Sequence, residues 1–213
     1  MNLELPKLYP ITDVQLSGLS HAAQVEALID GGARLIQLRD KDASPRDFYT
    51  SAVDAMRVAR ARGTRLIIND RVDIALAVGA DGVHLGQDDL PPEHARRLLG
   101  DQALIGYSTH NIEQAMRALH TGASYIAIGP IFPTSSKNNP DPVVSLCTLG
   151  RIRELAGPLP LVAIGGINLE NAKQVIDAGA DSVAVIGALL SDNLRIAERT
   201  CEFLSQLAAS RQP

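Results

Sequence analysis

The chain has 213 residues, 46% of them hydrophobic, and a formal net charge of −4. That length and apolar content suit one large α/β domain with a substantial core. Without a basic balance there is no stripe for nucleic acid, and with 3% aromatics and no Trp there is no platform for stacking bases, so any phosphate binding is local.

The two cysteines, Cys147 and Cys201, lie far apart without Cys-x-x-Cys spacing, as expected of a reduced cytoplasmic protein. The opening stretch from Met1 to Pro6 lacks a basic segment followed by an apolar one, and no apolar run reaches the roughly 18 residues of a membrane span. The expected partners are therefore small molecules, not nucleic acid or membrane, and a homodimer is kept open.

Taken in chain order, a strand is predicted over Leu8–Thr12 and a helix over His21–Ile29 with Ser20 as N-cap. The run Arg34-Leu35-Ile36 is the second strand, and Ser44 with Pro45 opens a helix to Ala61. Strand Arg65–Asn69 leads into a short helix Arg71–Val78, the run at Gly82-Val83 into helix Pro91–Leu99, and strand Leu104–Ser108 into helix Ile112–His120. The run at Tyr125-Ile126 precedes helix Leu146–Ala156, strand Leu159–Gly165 precedes helix Glu170–Ala178, and the run at Ser182-Val183 precedes a helix from about Leu194 to Ala208. A Gly-Ala pair recurs before four of these strands, at Gly32, Gly79, Gly122 and Gly179, each time ending a helix. Alternating units with near-continuous apolar strands predict a parallel sheet, and eight of them predict a (β/α)8 TIM barrel, a single domain over residues 1–213. A doubly wound open sheet is the alternative, but Ile11-Thr12-Asp13-Val14-Gln15 is nothing like its glycine-rich first turn.

In such a barrel the active site lies where strands end, and polar clusters follow the strands here. Gln37, Arg39 and Lys41 alternate, so they share a face unless the chain bends; two cations beside an amide call for an anion. Asn69-Asp70 follows a Leu-Ile-Ile run; Asp70 is a candidate Mg²⁺ ligand and equally a candidate N-cap of the next helix. After the fourth strand stand Asp88 and Asp89, of which one is expected to face a metal and one solvent, while His84 reads as a satisfied core residue. Ser108, Thr109 and His110 end the fifth strand; Ser108 can bond a ring amine, but helix capping by Ser, Thr or Asn111 competes. Thr134, Ser135, Ser136 and Lys137 lie in the one long irregular stretch, Pro130 to Ser145, and read as an oxyanion-friendly lid. The glycines of Ile164-Gly165-Gly166 and Ile186-Gly187 let backbone N–H groups approach a phosphate after strands seven and eight. Two anion sites result, one metal-assisted and one made of backbone.

Jointly these motifs resemble those of the thiamine phosphate synthases over nearly the whole chain: Gln37-Leu38-Arg39-Asp40-Lys41, Ile67-Ile68-Asn69-Asp70, Val83-His84-Leu85-Gly86-Gln87-Asp88-Asp89, Gly129-Pro130-Ile131-Phe132-Pro133-Thr134, Ser136-Lys137 and Ala163-Ile164-Gly165-Gly166-Ile167. The resemblance implies a Mg²⁺-dependent transferase of thiamine biosynthesis. It joins 4-amino-5-hydroxymethyl-2-methylpyrimidine diphosphate to 4-methyl-5-(2-phosphooxyethyl)thiazole, releasing diphosphate by a dissociative route. It also implies that Gln37, Arg39, Lys41, Asn69, Ser108 and Lys137 contact the pyrimidine diphosphate, with Arg39, Lys41, Ser108 and Lys137 carrying catalysis. Asp70 and Asp89 then hold the metal, and Thr134, Ser135, Ser136, Gly166, Ile186 and Gly187 hold the thiazole phosphate. The family often has Ser where this chain has Gly187, and Thr where it has Ser136, which removes one hydroxyl contact. A thiazole tautomerase on the same barrel would need no diphosphate–metal cluster, and a non-catalytic sensor of thiamine phosphate would bind without turnover. A phosphosugar isomerase or epimerase is a fold-level analogy only.

Overall fold

The computed structural model describes residues 3–134 and 141–208. Eight strands run β1 (Leu8–Pro10), β2 (Leu35–Leu38), β3 (Arg65–Asn69), β4 (Gly82–Leu85), β5 (Leu104–Thr109), β6 (Tyr125–Ile128), β7 (Leu161–Ile164) and β8 (Ser182–Val185). All neighbours are parallel, in the order β1-β8-β7-β6-β5-β4-β3-β2. Closure between β1 and β2 comes just beyond β1, where Ile11 pairs with Gln37 and the Thr12 N–H donates to the Gln37 carbonyl at 2.9 Å. The sheet is thus a barrel, as the alternation of elements predicts, and not an open doubly wound sheet.

Several of the helices between the strands start where short polar side chains replace the missing backbone acceptors. Ser20 accepts from Ala23 N at the head of α2 (His21–Asp30), and Ser44 from Asp47 N at the head of α3 (Pro45–Ala61), with Pro45 in the first turn. The series continues with α4 (Val72–Val78), α5 (Pro92–Leu99), α6 (Ile112–Ala118), α7 (Leu146–Ala156), α8 (Leu169–Asp177) and α10 (Ile196–Ala208). These bounds differ from the expected ones by at most two residues, the usual scale at frayed ends. Two one-turn helices were not anticipated: α1 (Val14–Ser17), capped by Asp13, and α9 (Gly187–Leu190). Four residues carry no periodicity, so only the tertiary path reveals them.

Two apolar clusters hold the layers together. The larger joins the outward faces of the strands to the helices, through residues such as Ile36, Ile68, Val83, Phe48 and Phe203. The smaller fills the barrel itself with Tyr9, Leu35, Ile67, Tyr125, Val162 and their neighbours. Period-2 alternation decides which residues form the next layer up. Two positions beyond those interior residues stand Ile11, Gln37, Asn69, Ala127, Ile164 and, on β4 and β5, His84 and Ser108. No helix among the described residues is long and apolar enough to cross a membrane.

Candidate active site

That upper layer is the floor of a cavity of about 660 Å³ at the ends of the strands. Its walls are the loops that follow them, carrying Arg39, Lys41, Asp70, Asp88, Asp89, Thr134, Gly166, Ile186 and Gly187. Every expected site residue that is described therefore lines one volume; Ser135, Ser136 and Lys137 lie outside the described residues. A second cavity, of about 650 Å³, lies among Leu5, Pro160 and Leu207, where Asp181 is already engaged by Arg153 at 2.7 Å.

Gln37, Arg39 and Lys41 do not share a strand face, because β2 ends at Leu38. Gln37 is buried inside the barrel, its carboxamide donating to the Tyr9 hydroxyl at 3.1 Å. Arg39 is set by residues outside the motif. Its backbone N–H donates to Thr12 Oγ1 at 3.2 Å, that hydroxyl meets His21 Nδ1 at 2.8 Å, and the Asp13 carboxylate stands 3.9 Å from the guanidinium. Burial pushes the His21 ring below its ordinary value against the pull of Asp40, so it serves as a neutral hydrogen-bonding group.

Asp70 is not a helix cap. The residue before α4 is Arg71, which makes no side-chain cap bond. Asp70 itself takes φ 61°, the only positive value at a non-glycine residue among the described residues. That conformation is costly for a residue with a Cβ, and such strain is typically kept at functional positions. Its carboxylate lies 3.5 Å from Lys41 Nζ and within hydrogen-bonding reach of Asp89. Burial raises the Asp70 carboxyl above its ordinary value, the Asp89 carboxylate raises it further, and Lys41 draws it back. Asp89 is itself oriented by the Gly86 N–H, which donates to Oδ2 at 2.6 Å, whereas Asp88 is exposed. Two facing carboxylates in a half-buried wall need a proton or a cation between them. An all-oxygen pair with room for water and phosphate fits Mg²⁺, which is commonly held by one or two carboxylates plus substrate.

Ser108 is free of capping duty because Asn111 caps α6, accepting from Gln114 N. Instead its hydroxyl meets His84 Nε2 at 2.9 Å, and the Gln87 side chain holds its carbonyl at 2.6 Å. His84 does prove to be a satisfied residue, but one on the cavity floor. His110 is tied at one ring nitrogen: Nδ1 meets the Gly129 carbonyl at 2.8 Å and Asp141 at 3.3 Å.

Across the cavity, the base of the long loop is pinned to the turn after β7. Ile131 N donates to the Ile164 carbonyl at 2.9 Å and Phe132 N to the Gly165 carbonyl at 3.0 Å. Gly165 and Gly166 have φ of 102° and 63°, and a Cβ on Gly166 would sit 2.6 Å from the Pro133 carbonyl oxygen. Glycine is required there for both reasons. Gly187, by contrast, has open space, with Leu16 Cδ2 the nearest atom at 4.0 Å from a built Cβ. Sequence reasoning missed Tyr9, Thr12, Asp13, His21 and Tyr125. The available signal was two tyrosines and a threonine inside otherwise aliphatic strand runs.

The family model described as thiamine monophosphate synthase matches residues 8–189. The chain is 48% identical to the thiamine-phosphate synthase of Koribacter versatilis, over 96% of this chain and 97% of that one. It is 47% identical to the thiamine-phosphate synthase of Chloroflexus aurantiacus, over 91% of this chain and 89% of that one. Among solved structures, a thiamine phosphate pyrophosphorylase from Pyrococcus furiosus superposes with a TM-score of 0.85 at 37% identity, covering 97% of each chain.

Proposed function

The chain belongs to the thiamine monophosphate synthase family, and from that premise we propose how the cavity at its strand ends works. The enzyme is a transferase of thiamine biosynthesis that condenses the aminopyrimidine diphosphate with the thiazole phosphate, giving thiamine phosphate and diphosphate. The observation that carries the reading is the pairing of two unlike anion sites in a single volume: Arg39, Lys41, Asp70 and Asp89 on one wall, and the backbone of Gly166, Ile186 and Gly187 on the other.

The diphosphate lies on the first wall, gripped by the Arg39 fork and the Lys41 ammonium. Asp70 and Asp89 would hold Mg²⁺, which when bound would supply charge neutralisation to the leaving diphosphate. Gln37, Asn69 and Ser108 orient the pyrimidine ring on the floor. The bond from the exocyclic methylene carbon to the diphosphate oxygen breaks, and the electron pair leaves with the diphosphate. The amino-substituted ring shares the positive charge left on the methylene. The thiazole nitrogen then donates its lone pair to form the new C–N bond, with its phosphate held at Thr134 to Ser136 and the glycine backbone. Arg39, Lys41 and Lys137 act where negative charge grows in the transition state. The chemistry needs no protein nucleophile, but it needs water excluded, since water would trap the cation. The location proposed is cytoplasmic.

Product formation from the two substrates, with Mg²⁺ and with excess EDTA, tests the reading. Thiamine phosphate that forms only with metal supports it; product in EDTA at an undiminished rate removes the role of Asp70 and Asp89. Lys137→Ala is expected to lower kcat by roughly a hundredfold or more with the melting temperature unchanged, and near-wild-type turnover would end the lid assignment. Gly166→Ala is expected to raise KM for the thiazole phosphate by at least about tenfold, since its Cβ collides with the loop base at a backbone angle that disfavours any side chain. Gly187→Ser, which meets no obstacle, is expected to leave that KM unchanged or lower it. Initial rates with the thiazole phosphate varied decide between them; a weakened Gly187→Ser would contradict the assignment of that backbone.

A further inference from the structure

From the cavity floor down into the barrel and back runs an unbroken chain of side-chain hydrogen bonds, whose middle members Tyr9, Tyr125 and His84 have no role above. From Gln37 Nε2 it passes to the Tyr9 hydroxyl at 3.1 Å, from Tyr9 to the Tyr125 hydroxyl at 2.9 Å, from Tyr125 to His84 Nδ1 at 3.1 Å, and from His84 Nε2 to Ser108 Oγ at 2.9 Å. Its middle lies in the barrel interior, with Tyr9 1% and Tyr125 0% exposed. The rings also pack on one another, Tyr9 edge-on to Tyr125 with centroids 6.0 Å apart and His84 stacked on Tyr125 at 5.6 Å. Gly106 makes the central link sterically feasible. It is in register with both His84 and Tyr125, and a Cβ there would lie 2.3 Å from His84 Nδ1 and from the Tyr125 hydroxyl oxygen.

Both ends of the chain, Gln37 and Ser108, line the cavity. Each tyrosine hydroxyl has one proton to give, and a neutral imidazole has one N–H. Burial pushes both hydroxyls far above their ordinary value, so both stay protonated. With His84 in its neutral form, the protons of the chain all point one way. If Gln37 donates to Tyr9, the direction runs on to His84, whose Nε2–H donates to Ser108; the serine proton and the Gln37 carbonyl then face the cavity. Reversed, Ser108 donates to His84 and the Gln37 carbonyl accepts from Tyr9; a serine lone pair and the carboxamide N–H then face the cavity. In either sense the two ends show opposite polarity, one donor and one acceptor. The edge of a 4-aminopyrimidine offers the matching pair, an amino N–H beside a ring nitrogen.

We propose that Tyr9, Tyr125 and His84 are positioning residues that tie the hydrogen-bonding polarity of Gln37 to that of Ser108, so that the two together recognise the amino-bearing edge of the pyrimidine. This rests on the pyrimidine diphosphate occupying the floor as proposed above. Tyr9→Phe and Tyr125→Phe in the full chain are each expected to lower kcat/KM for the pyrimidine diphosphate about tenfold while KM for the thiazole phosphate stays unchanged. In protein labelled with ¹⁵N-histidine, the His84 ring is expected to show one neutral tautomer in wild type and a mixture of two in Tyr125→Phe. Ser108→Ala is expected to cost much less in the Tyr125→Phe background than in wild type, because the two act as a unit. A folded Tyr125→Phe enzyme with wild-type kcat/KM overturns the proposal. So does a loss shared equally by both substrates, or full additivity with Ser108→Ala. If instead Gln37→Ala and Ser108→Ala by themselves leave kcat/KM for the pyrimidine diphosphate untouched, the placement of the pyrimidine fails first and takes the proposal with it.

Discussion

Asp70→Asn and Asp89→Asn are each expected to lower kcat/KM for the pyrimidine diphosphate by about 10²- to 10³-fold, and Asp88→Asn by less than about threefold. The asymmetry follows from geometry. Asp70 and Asp89 face one another within hydrogen-bonding reach, Asp89 is aimed by the Gly86 N–H at 2.6 Å, and Asp88 is exposed. Two carboxylates held together in a half-buried wall repel unless a proton or a cation lies between them, and Lys41, at 3.5 Å from Asp70, offsets only part of that charge. A neutral amide keeps the shape and removes the charge, so its effect reads the charge alone. Initial rates over a range of Mg²⁺ concentrations make the comparison. The two variants should need far more metal to saturate, and an equal loss in Asp88→Asn would undo the choice between the neighbours.

Arg39→Ala is expected to cost a similar 10²- to 10³-fold in kcat/KM, with Arg39→Lys recovering only part. Arg39 sits in a socket: its N–H is held by Thr12 Oγ1, Thr12 by His21, and its guanidinium by Asp13 at 3.9 Å. A lysine there keeps the charge but loses the planar fork that meets two phosphate oxygens at once. Lys41 cannot take over, because its ammonium already faces Asp70 and it is half exposed. Competitive inhibition by free diphosphate gives a second readout: its affinity should fall in Arg39→Ala along with kcat/KM. A lysine variant with wild-type kinetics would show that the fork is not used.

Much of the candidate site is legible along the chain because barrels put function at strand ends, and strand ends can be read locally. Asp70 illustrates the limit of that reading. As a residue type before a helix it is as good a cap as a ligand; Arg71 next to α4 and the φ of 61° at Asp70 exclude the cap, and the ligand role is the one proposed above. Ser108 had the same ambiguity, removed once Asn111 is seen to cap α6. The alternation Gln37, Arg39, Lys41 suggested one shared face, but β2 ends at Leu38, so the first points into the barrel and the others follow the loop. They still meet, because floor and wall belong to one cavity.

By itself the sequence determined the repeat of eight strand–helix units, the parallel barrel they imply, and the polar clusters whose joint pattern marks the family. These depend on short-range effects: the periods of strands and helices, and the preference of Ser, Asn, Pro and Gly for helix ends. The tertiary structure alone decided which polar groups face one another. Tyr9 and Tyr125, separated by 116 residues, meet across the barrel at 2.9 Å. Thr12, just past β1, and His21, at the head of α2, brace Arg39, and β1 closes on β2 through Ile11 and Gln37. Such contacts depend on strand order and register, which no local propensity encodes, because they exist only once the eight strands have closed into a ring.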